Sequence, residues 1–329
     1  MILAIDLGGM SAKAALLTKD GKLLGKAQVA TSAKEGAEQT VAALHSLMLA
    51  CAENAAVPLD EIEAVGVGAP GIIDSETGTV VAWTTFGWEN FPLAEKLGAR
   101  CQKKVFVLND ANAVALGEAK FGAGKYFESS ILVTLGTGIG GGIVIGGELF
   151  EGYMSAGGEI GHTVIRHGGR KCSCGRRGCF EMYASTRALV RDAERMRKKY
   201  PESTLNCAKK IDGKVFFAAL KERDVAAKEV FSNYIEVLGE GILNLVNLFR
   251  PQAVLVGGGI SAQGETLLNP LREYVSERLL LPEYAPLEIL AAELRNDAGL
   301  YGTAEYARRR YAIWSAVESV CQKIASKRK

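Results

Sequence analysis

The sequence predicts an α/β protein built as two similar lobes. Short apolar runs rich in Val, Ile, Leu and Ala end in glycine turns and alternate with stretches of helical periodicity. One strand–turn–strand pattern occurs twice, as "LAIDLGGMSAKAALLTKDG" from Leu3 and as "ILVTLGTGIGGGIVIGGEL" from Ile131. The pattern aligns Asp6 with Thr134, Gly8 with Gly136 and Ala15 with Ile143, and a repeat of this length implies two related lobes. The chain's 329 residues supply ample core for both. No linker rich in Pro, Ser or Gly separates them, so they are expected to share a wall with a small-molecule cleft between them.

Composition narrows the function. Apolar residues make up 48% and charged residues 23%, which describes a globular chain. A net charge of +2 gives no support to a dedicated nucleic-acid surface. The basic runs Arg308–Arg310 and Lys327–Lys329 read as solvated helix ends. No apolar stretch reaches the roughly 18 residues that a membrane span needs. The start, "MILAIDLGG", lacks a basic region and a cleavage site and reads as a first strand, which places the expected protein in the cytoplasm. Thiols stay reduced there, so clustered cysteines point to metal rather than disulfides. Cys51, Cys101, Cys207 and Cys321 are scattered and read as buried or idle thiols.

In chain order, Asp20-Gly21 between two apolar runs signals a β-hairpin. Val41, Leu44, Met48 and Ala52 mark a helix within residues 34–55. "EAVGVGAPG" and "KVFVLND" are strands, and a helix follows the second over 111–121. Beyond the repeat come a glycine-rich loop, a cysteine cluster, helical patterns between 183 and 250, the strand "AVLVGGG", and a helix from about 298 that is expected to pack on the first lobe.

Three glycine turns end strands: Gly8-Gly9, Gly136–Gly142 and Gly257–Gly259. Backbone N–H groups converge readily where there is no Cβ, which suits phosphate. Gly136, Gly138 and Gly141 match G-x-G-x-x-G, but the β-branched "GIVIGGELF" that follows reads as a strand, and a dinucleotide site needs a helix there. "GAGKY" fails as a Walker loop because Tyr126 stands where a Mg²⁺-binding hydroxyl belongs. A phosphate grip occurring once per lobe remains.

His162, Cys172, Cys174 and Cys179 offer one imidazole and three thiolates, a closed set for structural zinc; a redox pair or idle thiols are the alternatives. Asp110 closes the strand "KVFVLND", where open α/β sheets place their ligands, and would also serve as an N-cap for the next helix.

"AIDLGGMSAK", "LGTGIGGG" and "VGGGIS" resemble the two phosphate loops and the adenosine loop of the actin-like, hexokinase-type ATPase fold, a ribonuclease H-like fold of duplicated α/β domains. "GGEIGH", "CSCGRRGCFE" and "VLNDANAVALGE" resemble the ROK family of bacterial sugar kinases and repressors, over residues 2 to about 305. The resemblance implies a small lobe of 1–108 plus about 305–329, and a large lobe of 109–304. It implies Asp110 as the base that deprotonates a sugar's primary 6-hydroxyl. It implies sugar contacts from Gly71, Asn90, Asn109, Asp110, Glu159, His162 and Glu181. Asp6, Gly8, Gly9, Lys13, Gly136, Thr137, Gly138, Gly257, Gly258 and Gly259 are implied to hold ATP, with Asp6 acting through Mg²⁺. Zinc on His162, Cys172, Cys174 and Cys179 is implied to fix the sugar loop, and a homodimer is implied. His45 and His167 fit no part of the pattern and read as packing or surface residues.

The expected activity is ATP-dependent phosphorylation of a hexose, glucose first and N-acetylmannosamine as the alternative. A sugar-responsive repressor is disfavoured, because only five residues precede Asp6 and a helix-turn-helix segment would come before the first phosphate loop. A sensor without catalysis is disfavoured by Asp110. Two positions depart from the family pattern. Met10 stands where the first phosphate loop commonly has Thr, with Ser11 next to it, which leaves open the choice among ATP, ADP and polyphosphate as donor. Thr84-Thr85 stands where glucose-specific relatives often carry Asn, which leaves the hexose open.

Overall fold

The structure, a computed structural model, describes residues 1–327. Lys327 ends the last helix; Arg328 and Lys329, the rest of the basic tail, lie outside the described residues. The chain divides into two compact units. The first comprises residues 1–125, 147–158 and 296 onward; the second comprises 126–146 and 159–295. Among the described residues, no helix is long and apolar enough to cross a membrane.

The first unit starts with β1 (Ile2–Leu7), β2 (Ser11–Leu17) and β3 (Leu23–Ala30). The predicted hairpin between β2 and β3 turns at Gly21. Helix α1 (Ala37–Asn54) follows and buries Val41, Leu44, Met48 and Ala52, the four positions that the periodicity marks. Next come β4 (Ala64–Ala69), then β5 (Ile72–Asp74), β6 (Thr79–Trp83) and β7 (Trp88–Phe91), then α2 (Leu93–Cys101), β8 (Lys104–Asn109) and α3 (Asp110–Phe121). The main sheet runs β3-β2-β1-β4-β8, with β1–β2 antiparallel and β1–β4–β8 parallel. The small sheet β5-β6-β7 has no counterpart in the sequence reading. Trp83 stacks on Phe86 at 3.8 Å between ring centroids, and Trp88 meets both edge-on, so aromatic packing holds it together.

The second unit repeats this plan. β9 (Ser130–Leu135) pairs antiparallel with β10 (Ile139–Ile145), as β1 does with β2. The short β11 (Glu148–Leu149) lies in the 147–158 segment. Helices α4 (Glu181–Ala184), α5 (Thr186–Met196), α6 (Gly213–Lys221) and α7 (Val225–Phe249) precede β12 (Ala253–Gly257), which pairs parallel with β9 as β4 does with β1. Helix α8 (Glu265–Ser276) and β13 (Glu288–Ala291) complete the unit, with β13 parallel to β12. The duplication read in the sequence is therefore a duplication of strand order and direction, and the α/β class holds.

Helix α9 (Ala298–Lys327) belongs to the first unit and packs on α3, β1, β4 and β8. Two glycines permit the approach to α3. A Cβ on Gly302 would sit 1.7 Å from the Ala113 carbonyl oxygen, and one on Gly117 would sit 2.2 Å from that of Ala298. This packing keeps α3 in the first unit, where a boundary at 108 would have placed it in the second. The Arg308–Arg310 run, read as a solvated helix end, instead lies within α9. Arg308 and Arg309 both pair with Glu305, which is 1% exposed in its side chain. Burial alone would raise that carboxyl's pKa; the two guanidiniums outweigh it and hold the group below its ordinary value.

Replacing Gly302 with Val should drive side-chain carbons into the α3 backbone. Overpacking of this kind costs at least about 2 kcal/mol, and a matching drop in the urea midpoint with an unchanged slope is the expected result.

Candidate active site and metal centre

Asp6 ends the apolar part of β1 and faces Lys13 across the β1–β2 pair. The turn after it is tight: the Gly8 N–H donates to the Ser11 carbonyl at 2.9 Å, and the Thr31 hydroxyl donates to the Gly8 carbonyl at 2.8 Å. Met10 projects from this turn and is 86% exposed. Gly299, in the first turn of α9, lies against the Asp6 carboxylate, 3.5 Å from a Cβ position to Cγ. The N-terminal end of α9 therefore faces this carboxylate, an arrangement that favours negative charge.

Asp110 is the first residue of α3, but it is not the cap. Asn109 takes that role, its side-chain oxygen accepting from the N–H groups of Ala111 at 2.9 Å and Asn112 at 3.2 Å. The Asn109 amide nitrogen donates to the Gly71 carbonyl at 3.1 Å, which ties β8 to the turn after β4. Of the Asp110 carboxylate, Oδ1 accepts from the Ala111 N–H at 2.8 Å. Burial raises the pKa of Asp110 above the ordinary carboxylate value, against the pull of backbone and Asn109 hydrogen bonds. Burial also raises that of Asp6; Lys13 counters the effect and the charge of Asp110 adds to it. The two aspartates thus feel each other.

Gly71 adopts φ +95° with no room for a Cβ, which would fall 2.2 Å from the Ala82 carbonyl oxygen on β6. Asn90 sits exposed on β7 in a left-handed conformation, φ 48°. The first unit therefore gathers Asp6, Gly8, Gly9, Lys13, Asn109, Asp110 and Gly71 around the ends of β1, β4 and β8, with Asn90 on the adjoining small sheet.

In the second unit the other two glycine turns meet. A Cβ on Gly258, φ +85°, would lie 2.5 Å from the Leu135 carbonyl oxygen at the end of β9. The turn Gly257–Gly259 is thus pressed against the root of Gly136–Gly138. The Gly136 N–H donates to the Gly138 carbonyl at 3.1 Å, and the Gly136 carbonyl accepts from Thr186 N–H at 2.9 Å. Glu181 Oε2 lies where a Cβ on Gly138 would reach it, 2.4 Å away.

The cysteine loop is irregular and held by short backbone contacts. The Cys172 N–H donates to the Arg176 carbonyl and the Gly178 N–H to the Arg170 carbonyl, at 2.9 and 2.8 Å. Gly178 takes φ +86°, and a Cβ there would fall 1.8 Å from the Arg166 carbonyl oxygen. Phe180 anchors the loop, fully buried against Gly241 of α7.

The loop brings one donor atom each from His162, Cys172, Cys174 and Cys179 within 4.8 Å of one another. Cys174 Sγ and Cys179 Sγ are 3.7 Å apart, and His162 Nδ1 and Cys172 Sγ 3.6 Å. Tetrahedral zinc with ordinary bond lengths separates two sulfurs by about 3.8 Å and a nitrogen from a sulfur by about 3.6 Å. The donor set and its spacing therefore fit zinc. Burial first, and then its cysteine neighbours, push the Cys179 thiol up to about 12, whereas a backbone hydrogen bond at Arg176 lowers that of Cys174. His162 turns Nδ1 towards the cysteines. Glu181 lies beside them, 8% exposed, accepting from the Cys172 thiol at 3.0 Å, a contact that the sequence reading did not foresee. Glu159 is exposed, with its carbonyl accepting from the His162 N–H at 3.1 Å.

Known proteins match this arrangement along nearly the whole chain. The model of the ROK family matches residues 2–310. A glucokinase from Thermotoga maritima is 37% identical over 314 residues, covering 94% of this chain and 98% of its own length. The crystal structure of a ROK family glucokinase from Streptomyces griseus, in complex with glucose and AMPPNP, superposes with a TM-score of 0.77 at 37% identity, covering 94% of this chain and 99% of that one. A ROK hexokinase from Thermus thermophilus superposes at 0.79 with 33% identity, covering 94% and 98%. Repeated strand order, glycine turns and cysteine loop thus come with a family match that extends over both units, and the chain belongs to the ROK family.

Proposed function

We propose that the protein is an ATP-dependent hexose kinase that converts glucose to glucose 6-phosphate. The observation that carries this reading is the Asp110 carboxylate. It is half-buried, close enough for its charge to act on Asp6, at the C-terminal ends of the parallel strands, and Asn109 caps α3 in its place. The likeness to glucokinases of bacterial origin at 37% identity supports it.

In the proposed step Asp110 accepts the proton of the sugar's 6-hydroxyl. The freed oxygen attacks the γ-phosphorus of ATP, the bond to the bridging oxygen breaks, and ADP leaves. Asp6 would hold Mg²⁺, which would neutralise charge on the phosphates. Lys13 lies opposite Asp6 and adds positive charge there. Gly8 and Gly9 in the first unit, and Gly136, Thr137, Gly138 and Gly257–Gly259 in the second, present backbone donors to the nucleotide.

Gly71, Asn90 and Asn109 are assigned to the sugar on the first unit, Asn109 through its remaining amide hydrogen. Glu159, His162 and Glu181 are assigned to it on the second. His162 would ligate zinc through Nδ1, which leaves Nε2 for a sugar hydroxyl. Cys172, Cys174 and Cys179 complete the zinc set, and the ion supplies rigidity to this loop. N-acetylmannosamine is the second substrate reading. It rests on Thr84 and Thr85, both exposed on the turn that leads to Asn90.

Four outcomes are expected. In a coupled ADP-release assay over a sugar panel, glucose gives the highest kcat/KM, and Asp110→Asn lowers it by roughly 10²–10⁴; wild-type turnover in that variant would remove Asp110 as the base. Because Asp110 must be ionised and its pKa is raised, the acid limb of the pH profile should lie above the ordinary carboxylate range, with activity lost as pH falls through it.

The same raised pKa costs stability. The folded protein holds this proton more tightly than the unfolded one, so the group's contribution falls as pH climbs from the unfolded value to the folded one. Asp110→Asn, which removes the buried charge, should therefore melt higher than wild type at pH 7, with the gain shrinking towards acid. Finally, verified removal of zinc by a strong chelator should lower the melting temperature, and Cys172→Ser should lower the metal content of the purified protein. An unchanged melting temperature after metal loss would refute the structural role.

A further inference from the structure

A second concavity, of about 510 Å³, opens on the second unit between the cysteine loop, α5 and α7. Four cations line it, Arg166, Arg170, Arg195 and Lys199, against the carboxylates of Asp192 and Glu229. Both carboxylates are already shared. Asp192 receives both terminal nitrogens of Arg170, at 2.7 and 3.1 Å, and Arg191 at 3.5 Å. Glu229 takes Lys199 at 3.2 Å and the Tyr200 hydroxyl. Among the described residues, neither Arg166 nor Arg195 has a carboxylate partner. Arg166 instead packs over the Tyr183 ring at 5.1 Å, the ring that Arg170 covers at 4.5 Å.

Surplus guanidinium around a concavity of this size selects a small multivalent anion. Guanidinium forks match phosphate geometry with two parallel hydrogen bonds. The volume is that of a small-molecule site. Met196 and Val230 offer apolar contact beside the cations, and Asn233 offers an amide to a polar body. We propose that this pocket binds a phosphate monoester dianion carried on a hexose. The choice of a hexose rests on the sugar-kinase reading, whose product is such a compound; the preference for an anion does not.

The site is joined to the cysteine loop by backbone. The Arg170 carbonyl accepts from Gly178 N–H at 2.8 Å, and the Gly178 carbonyl accepts from Ile165 N–H at 3.0 Å. Residues on both sides of the pocket's rim are thus held one residue from Cys179. A dianion that draws Arg166 towards Arg195 acts on the loop that carries His162, Glu181 and the cysteines.

The test is isothermal titration of the metal-replete protein, with glucose and a non-hydrolysable ATP analogue at saturation so that the reaction site is filled. Inorganic phosphate and glucose 6-phosphate are titrated separately into wild type, Arg195→Glu and Arg166→Ala. Arg195 is exposed and its side chain makes no hydrogen bond in the described structure, so its reversal should leave the fold and the uninhibited turnover intact. Both ligands should bind wild type, glucose 6-phosphate the more tightly, with affinity falling at least tenfold in Arg195→Glu and in high salt. Equal affinity in wild type and Arg195→Glu, or no heat from either ligand, would overturn the site. Phosphate binding to which the sugar adds nothing would overturn the hexose assignment. Charge-dependent phosphate binding in a protein that phosphorylates no sugar would support the anion site and sink the kinase reading instead.

Discussion

The close packing of α3 against α9 is the constraint on which the acidic end of the first unit depends. Gly117 and Gly302 let the two backbones approach to distances that no Cβ tolerates. The same approach brings the first turn of α9 to Asp6, while α3 itself starts at Asp110. Two helix N-termini and two carboxylates therefore share one end of one sheet. Each N-terminus carries unsatisfied N–H groups and partial positive charge, which offsets part of the cost of burying an acid there. A larger residue at 117 or 302 would separate the helices and dismantle this balance, even though neither glycine touches a substrate.

The two carboxylates are held by different neighbours. Both are raised by burial, but Asp6 has Lys13 across the strand pair and the α9 terminus beside it. Asp110 has only backbone and Asn109 hydrogen bonds to oppose desolvation. The charge of Asp110 raises the pKa of Asp6 further, so ionising the one makes ionising the other harder. Asn109 supplies the α3 cap, while the Asp110 carboxylate accepts from the Ala111 N–H at 2.8 Å.

Much of this was legible in the sequence where one residue type admits one physical use. The repeat was readable because a strand that must turn at glycine and return has few alternatives, and it reappears as matched strand pairing. The cysteine spacing was readable because one histidine and three cysteines close in sequence can bring four donor atoms together, as they do within 4.8 Å. What stayed hidden depends on contacts between distant segments. "VLND" cannot tell which of Asn109 and Asp110 caps α3, because either side chain can do so. Arg308 and Arg309 look like a solvated run until Glu305 is seen beneath them. The small sheet β5-β6-β7 lacks clean alternation and is held by the Trp83, Phe86 and Trp88 rings, a tertiary effect that propensity does not report.

That small sheet also bears on sugar choice. The stacked rings fix a platform from which Thr84 and Thr85 project, and on which Asn90 is held at φ 48°. Asparagine tolerates this conformation better than most residues, so its presence is a backbone requirement as well as a polar contact. The side chains of Thr84 and Thr85 are exposed and make no hydrogen bond in the described structure, although the Thr84 carbonyl accepts from the Gly87 N–H at 3.3 Å. Substitution there changes the groups offered to a ligand without disturbing the rings or the aspartates. The departure from the glucose-type pattern thus falls on the freest positions of the sheet, whereas the acid pair sits where backbone packing allows little change. On the proposed kinase reading, backbone packing constrains the acid pair assigned to phosphoryl transfer and leaves open the threonine turn assigned to sugar choice.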